Sequence, residues 1–420
     1  MSRGGWVLAG IASGLVAITV AAGALAWKPA LPPVPPPAAA GFDRATVLRG
    51  QTLVHLGNCS TCHTAPGGRG FAGGKALRTP FGTIFASNIT PDPETGIGRW
   101  SSEAFTRAMR DGVSRDGSLL YPAFPYDHFT HTSDSDLDAL YAFFMTRPPV
   151  RTQIPDNRLA WPFGYRPLLV AWNLLYLKKD AINEADRGRY LAEGLAHCGA
   201  CHTPRDRWGA EMSDRAYDGA WTEGWYAPAL NARSPAVQPW TADELFEYLR
   251  TGRGAMHAAA AGPMSEVTRE LASAAEADVR ALAGYFAGLM ADAPAAKGDL
   301  ARRDNESLAD RTHPEGGILF AGACAACHDA GAPMMQQGRP PLAWGTPLHE
   351  DTPHDTLQVI IQGLGASASG VGPSMPAFGN DFTDRQLAEV AAYLRTRYTD
   401  LPPWQNLEQA VSDVRKAGGR

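Results

Sequence analysis

The 420-residue sequence predicts an all-α fold: three tandem small helical domains behind an N-terminal membrane-anchor helix. Three observations predict it. A five-residue cysteine–histidine motif recurs three times, apolar residues recur at helical spacing in three stretches that can be laid on one another, and an uncharged apolar run opens the chain. The length suits about three domains, and 45% hydrophobic residues are enough for a core in each. A formal net charge of -5 and a pI near 6.1 offer no basic surface for nucleic acid.

The apolar run, Gly4 to Trp27, holds 24 residues without a charge, bracketed by Arg3 and Lys28. A bilayer core needs about 20, whereas a secretory signal has a shorter apolar stretch and a small-residue cleavage site. Residues 1–28 are therefore expected to form an anchor, with Ala24-Leu25-Ala26 keeping a cleaved signal as the alternative. Residues 29–43 are a proline-rich linker, stiff enough to hold a domain off a membrane.

Beyond it the expected order is a first domain at 44–150, a connector at 151–180, a second domain at 181–295, a linker at 296–310, a third domain at 311–400 and a tail at 401–420. Each domain closes on an amphipathic helix: Asp136 to Phe144, Asp278 to Phe286 and Gln386 to Leu394. Earlier segments match too, from Trp100 to Gly112, Trp240 to Gly252 and Pro353 to Gly363, each ending in the glycine expected past a helix C-terminus.

All six cysteines fall in one pattern: Cys59-Ser-Thr-Cys62-His63, Cys198-Gly-Ala-Cys201-His202 and Cys324-Ala-Ala-Cys327-His328. C-x-x-C-H attaches c-type haem, since two thiols add to the vinyl groups and the adjacent histidine becomes an axial iron ligand. Thioredoxin-like pairs or a zinc site do not require a histidine after the second cysteine every time. Three covalently bound haem c groups are therefore expected, with His63, His202 and His328 on the irons. Such attachment belongs on the periplasmic face of the bacterial inner membrane.

Met264 lies 12 residues after Gly252, Met375 lies 12 after Gly363, and Phe124 lies 12 after Gly112. A buried methionine is usually core filler. Equal spacing from aligned landmarks, with Pro263 and Pro376 stiffening the loops, marks Met264 and Met375 as thioether ligands on the far side of their haems.

Over nearly its whole length the chain resembles the trihaem cytochrome c subunits of membrane-bound periplasmic dehydrogenases. The resemblance rests on the three C-x-x-C-H sites, on the stretch from Phe81 to Asp92 followed by Thr95 to Trp100, and on Trp172-Asn-Leu-Leu. It implies three class I cytochrome c-like domains, a dehydrogenase catalytic subunit as partner, a membrane, and ubiquinone or a terminal oxidase as acceptor. In relatives that serve quinoprotein alcohol dehydrogenases the first domain reads Y-P-A-M-P-Y. Here Tyr121-Pro-Ala-Phe124-Pro-Tyr126 departs at the ligand itself, which favours the branch serving molybdenum enzymes with an iron–sulfur subunit, such as aldehyde or N-heterocycle oxidoreductases.

Phenylalanine offers iron no lone pair. His128 is the nearest donor and the expected sixth ligand of the first haem, with His131, Met109 or an open site as alternatives. Met145 reads as core. The apolar run from Leu168 to Leu177 is too short to span a bilayer and reads as interdomain core, the alternatives being a docking surface for a partner or for the membrane interface. No acid–base pair, activated nucleophile or phosphate loop is evident. An electron relay without a catalytic residue of its own is expected, the alternative being a haem enzyme such as a peroxidase using an uncapped first haem.

Overall fold

The computed structural model describes residues 28–257, 259–293, 304–329, 331–332, 341–365 and 374–418. The chain divides into two compact units. The first runs to Ala185 and includes Glu193–His197; the second comprises Asp186–Ala192 and everything from Cys198 onward.

In the first unit, α1 (Arg44–Leu56) leads to α2 (Cys59–His63), a hairpin of β1 (Ala76–Thr79) and β2 (Gly82–Phe85), then α3 (Ser102–Asp111), α4 (Tyr126–Phe129) and α5 (Asp134–Met145). Strand β3 (Arg158–Leu159) pairs with β2, and α6 (Leu169–Tyr176) follows. Asp43, Ser101 and Ser133 cap α1, α3 and α5 through side-chain bonds to backbone N–H groups.

The second unit repeats this plan with α7 (Arg187–Glu193), α8 (Gly199–His202), a β4 (Ala220–Thr222) and β5 (Trp225–Ala227) hairpin, α9 (Ala242–Thr251), α10 (Gly262–Leu271) and α11 (Glu276–Leu289). A third set follows: α12 (Glu306–Thr312), α13 (Pro314–Ala323), α14 (Ala325–His328), α15 (His354–Gln362), α16 (Asp384–Tyr398) and α17 (Leu407–Gly418). Its core gathers Phe320, Leu348, Leu357, Leu387, Val390, Tyr393 and Val411.

One packing device recurs in all three sets. A Cβ on Gly50 of α1 would lie 2.0 Å from the carbonyl oxygen of Ala139 and 2.8 Å from the Cβ of Phe143, both on α5. Gly188 meets Ala281 and Tyr285 in the same way, at 2.4 and 2.8 Å, and Gly316 meets Glu389 and Tyr393 at 2.4 and 2.7 Å. Only glycine allows the opening and closing helices to cross this closely. The preceding residue pins each crossing by charge. Arg49 binds Asp136, Arg187 Nε lies 2.7 Å from Asp278, and in the third set the signs are exchanged, with Arg385 lying 2.6 Å from Glu315.

The all-α expectation needs correction. Antiparallel strands are present, as a three-stranded sheet ordered β1-β2-β3 and as the β4-β5 hairpin. The strands are two to four residues long, too short for alternation to stand out, and are set by their turns. Glu223 and Gly224 both take positive φ (48° and 83°), the requirement of a tight two-residue hairpin turn. The anchor helix expected over residues 1–28 falls almost wholly outside the described residues. Among the described residues no helix is long and apolar enough to cross a membrane, and residues 1–27 lie outside them. The run from Leu168 to Leu177 is not core: Trp172 is its one buried residue, while Leu174 and Leu175 are 68% and 70% exposed.

Candidate haem sites

Each C-x-x-C-H motif forms a short helical turn, α2, α8 or α14 with the cysteine before it. In the first two, the residue ahead of the first cysteine takes a left-handed conformation (Asn58, φ 48°; His197, φ 38°), turning the chain sharply into the motif. All six cysteines are half-buried and none is in a disulfide. Burial pushes the Cys198 thiol up to about 12 and the Cys324 thiol up to about 11, so neither is an activated thiolate on its own.

The histidines are held for ligation. His63 Nδ1 lies 2.7 Å from the carbonyl oxygen of Ser87, and His202 Nδ1 lies 2.7 Å from that of Pro228. A carbonyl only accepts, so each Nδ1 carries the proton and Nε2 keeps its lone pair, the arrangement that orients metal-binding imidazoles. Burial holds both rings below their usual pKa, which favours the neutral ligand form. The surrounding loops match as well. His63 O accepts from Gly73 N at 2.7 Å and His202 O from Gly219 N at 2.8 Å. Thr64 Oγ1 accepts from Phe71 N at 3.1 Å and Thr203 Oγ1 from Tyr217 N at 3.0 Å.

The third motif departs from this pattern. His328 is followed by Asp329, which pairs at 2.7 Å with the buried guanidinium of Arg397. Residues 330 and 333–340 lie outside the described residues.

The loops that carry the expected sixth ligands divide the same way. Gly112 and Gly252 are left-handed (φ 62°, ψ 34° and φ 73°, ψ 16°). Each is followed by a bridge between the next residue and one six further on, Val113 with Leu119 and Arg253 with Ala259. Phe124 and Met264 thus occupy corresponding places. Met264 sits in the first turn of α10 rather than in a loop, because Pro263 starts a helix there. Gly363 differs (φ 71°, ψ -177°), and Leu364 pairs directly with Met375 through two 2.9 Å backbone bonds. Met375 shares the residue count of Met264 but not its local structure. It packs against the third core.

Phe124 is half-buried against Phe129, with ring centroids 5.2 Å apart. His128, on α4, is buried, and its Nδ1 lies 2.8 Å from the carbonyl oxygen of Glu193, so its tautomer is fixed like that of His63. His131 is held by the carbonyl oxygen of Asp180. Met109 and Met145 are buried on α3 and at the end of α5. The sequence reading missed the Ser87 and Pro228 carbonyls; their signal is positional, 24 and 26 residues after the motif histidine. These residues fit haem c, which when bound supplies reversible one-electron chemistry.

The family described as "Cytochrome c" matches residues 47–148, and that described as "Cytochrome C oxidase, cbb3-type, subunit III" matches residues 311–394. The chain is 34% identical to the fructose dehydrogenase cytochrome subunit of Gluconobacter japonicus, over 93% of this chain and 86% of that protein. The chain belongs to the cytochrome c subunits of dehydrogenases. It is also 34% identical to the cytochrome c subunit of the quinone-type alcohol dehydrogenase of Gluconobacter oxydans, over 90% of this chain and 83% of that protein. It is 42% identical to a nicotinate dehydrogenase subunit of Pseudomonas putida, across 96% of this chain but only 34% of that longer protein. As a cytochrome subunit it binds haem c covalently and carries electrons for a dehydrogenase rather than oxidising substrate itself. The peroxidase alternative finds no support among these relatives.

Proposed function

We propose that this cytochrome subunit holds three haems, at Cys59/Cys62/His63, Cys198/Cys201/His202 and Cys324/Cys327/His328, in domains spanning 44–150, 181–295 and 311–400. Electrons pass singly from a dehydrogenase catalytic subunit to ubiquinone or a terminal oxidase on the periplasmic face of the bacterial inner membrane. The observation that carries this reading is the duplicated histidine clamp, His63 on Ser87 O and His202 on Pro228 O, each at the end of a C-x-x-C turn. Met264 and Met375 complete the second and third irons, and His128 the first.

The partner is an N-heterocycle- or aldehyde-oxidising molybdenum enzyme with an iron–sulfur subunit. The higher identity to a nicotinate dehydrogenase subunit (42% against 34%) and the phenylalanine at position 124 both favour it over a quinoprotein partner. Purification in mild detergent tests this directly: a large molybdenum subunit with a small iron–sulfur subunit should copurify. A quinoprotein in their place would overturn the choice of partner.

A further inference from the structure

Among the described residues, eleven large hydrophobic side chains are exposed, and five of them fall between positions 161 and 175. They are Trp161 (92% exposed), Tyr165 (65%), Leu168 (48%), Leu174 (68%) and Leu175 (70%). Scattered apolar residues need no explanation, but a cluster of this kind marks an interaction surface. The cluster is built rather than frayed. The inner face of α6 is fixed in the first unit: Trp172 packs edge-on against Tyr126 at 5.8 Å, and Asn173 Oδ1 accepts from the Tyr126 hydroxyl at 2.7 Å. Within α6, Ala171, Leu174 and Leu175 are exposed, and so are Leu168 just before the helix and Lys178 just after it.

Charge identifies the occupant. From Asn157 to Lys179 the chain carries Arg158, Arg166, Lys178 and Lys179 and no acid, in a protein whose formal net charge is -5. Lys179 reaches Asp111, and Arg166 stacks over Tyr121 at 4.9 Å, while the Lys178 side chain is exposed. Leucines on one face, a tryptophan and a tyrosine at its edge and cations at both ends are the composition of a surface that lies in the headgroup layer of an anionic bilayer.

We propose that the exposed face of α6 and the turn preceding it, from Trp161 to Lys178, is a peripheral docking surface for anionic lipid. The leucines enter the acyl boundary, the two aromatic rings sit at headgroup depth, and the cations meet phosphate. This deepens the reading that the relay works at a membrane, and rests on it. Because Tyr126 belongs to the stretch that carries Phe124 and His128, the surface holds the first haem's sixth-ligand loop beside the bilayer.

The test is hydrogen–deuterium exchange of the full haem-loaded chain with vesicles of phosphatidylglycerol and phosphatidylethanolamine. Peptides covering 161–178 should exchange about tenfold more slowly with vesicles, and the slowing should weaken in high salt and vanish on neutral phosphatidylcholine. Leu174→Glu with Leu175→Glu should abolish it. Unchanged exchange at 161–178 overturns the proposal, as does protection there by the dehydrogenase catalytic subunit instead of by vesicles. Haem content is read separately from the intact mass of the same sample, so a failure of the haem assignment is not confused with a failure of the docking surface.

Discussion

A single backbone carbonyl decides what each of the first two motif histidines can do. By accepting from Nδ1, Ser87 and Pro228 leave Nε2 for iron, and His128 receives the same treatment from Glu193. On the proposed three-haem reading, Met264→Ala should remove one methionine-to-iron charge-transfer absorption from the ferric spectrum, and His128→Ala should turn one haem high-spin without touching the others. If His128→Ala leaves every haem low-spin, His131 or Met109 caps the first iron. Glu350 is 4% exposed, and its Oε2 lacks a partner among the described residues. Burial, then the neighbouring Asp355 and Asp351, pushes its carboxyl up to about 9, while Arg395 spends its Nη1 on backbone carbonyls, including that of Glu350. The folded chain keeps a proton that the unfolded chain releases above about 4.5, so stability falls as pH rises through the window from about 4.5 to 9. The slope is about 1.4 kcal/mol per pH unit for one retained proton. Asp355, raised to about 6, adds to the lower part of that window. Thermal melts of the wild type and Glu350→Gln between about pH 5 and 9 check this: the variant should show the flatter profile.

At the scale of elements, the crossings at Gly50, Gly188 and Gly316 fix how each opening helix meets its closing helix. Glycine inside a helix normally costs about 1 kcal/mol relative to alanine, so Gly→Ala usually stabilises. Here the sign should invert. Gly188→Ala, facing the Ala281 carbonyl at 2.4 Å, should destabilise by about 1–3 kcal/mol, whereas Gly284→Ala, with nothing within 4 Å, should stabilise by up to about 1 kcal/mol. Denaturant midpoints of the two variants decide it. The helices themselves were legible in the sequence because their apolar period is long enough to count, as at Asp136–Phe144. The hairpins were not, since Ala220–Thr222 and Trp225–Ala227 are three residues each and owe their pairing to the Glu223-Gly224 turn. The crossing glycines were equally hidden: a small residue eight to ten positions before a cysteine carries no signal until the facing carbonyl is known.

Across the molecule, the first two C-x-x-C-H sets are near copies and the third is a variant. They share the His-Thr sequence, the left-handed glycine, the bridge register and the sign of the crossing ion pair, whereas the third has His-Asp, an extended turn at Gly363 and reversed charges. The match of residues 47–148 and 311–394 to two different cytochrome families agrees with this division. Counting 12 residues from a glycine therefore found structurally equivalent positions in Phe124 and Met264, and at Met375 found a methionine in a different turn. The central claim is that all three motifs carry covalent haem. Intact mass of the purified chain under denaturing conditions, which strip any haem that is not covalently attached, tests it most directly. The expected mass is the polypeptide plus three haem increments; a mass carrying two or fewer would overturn the three-haem assignment.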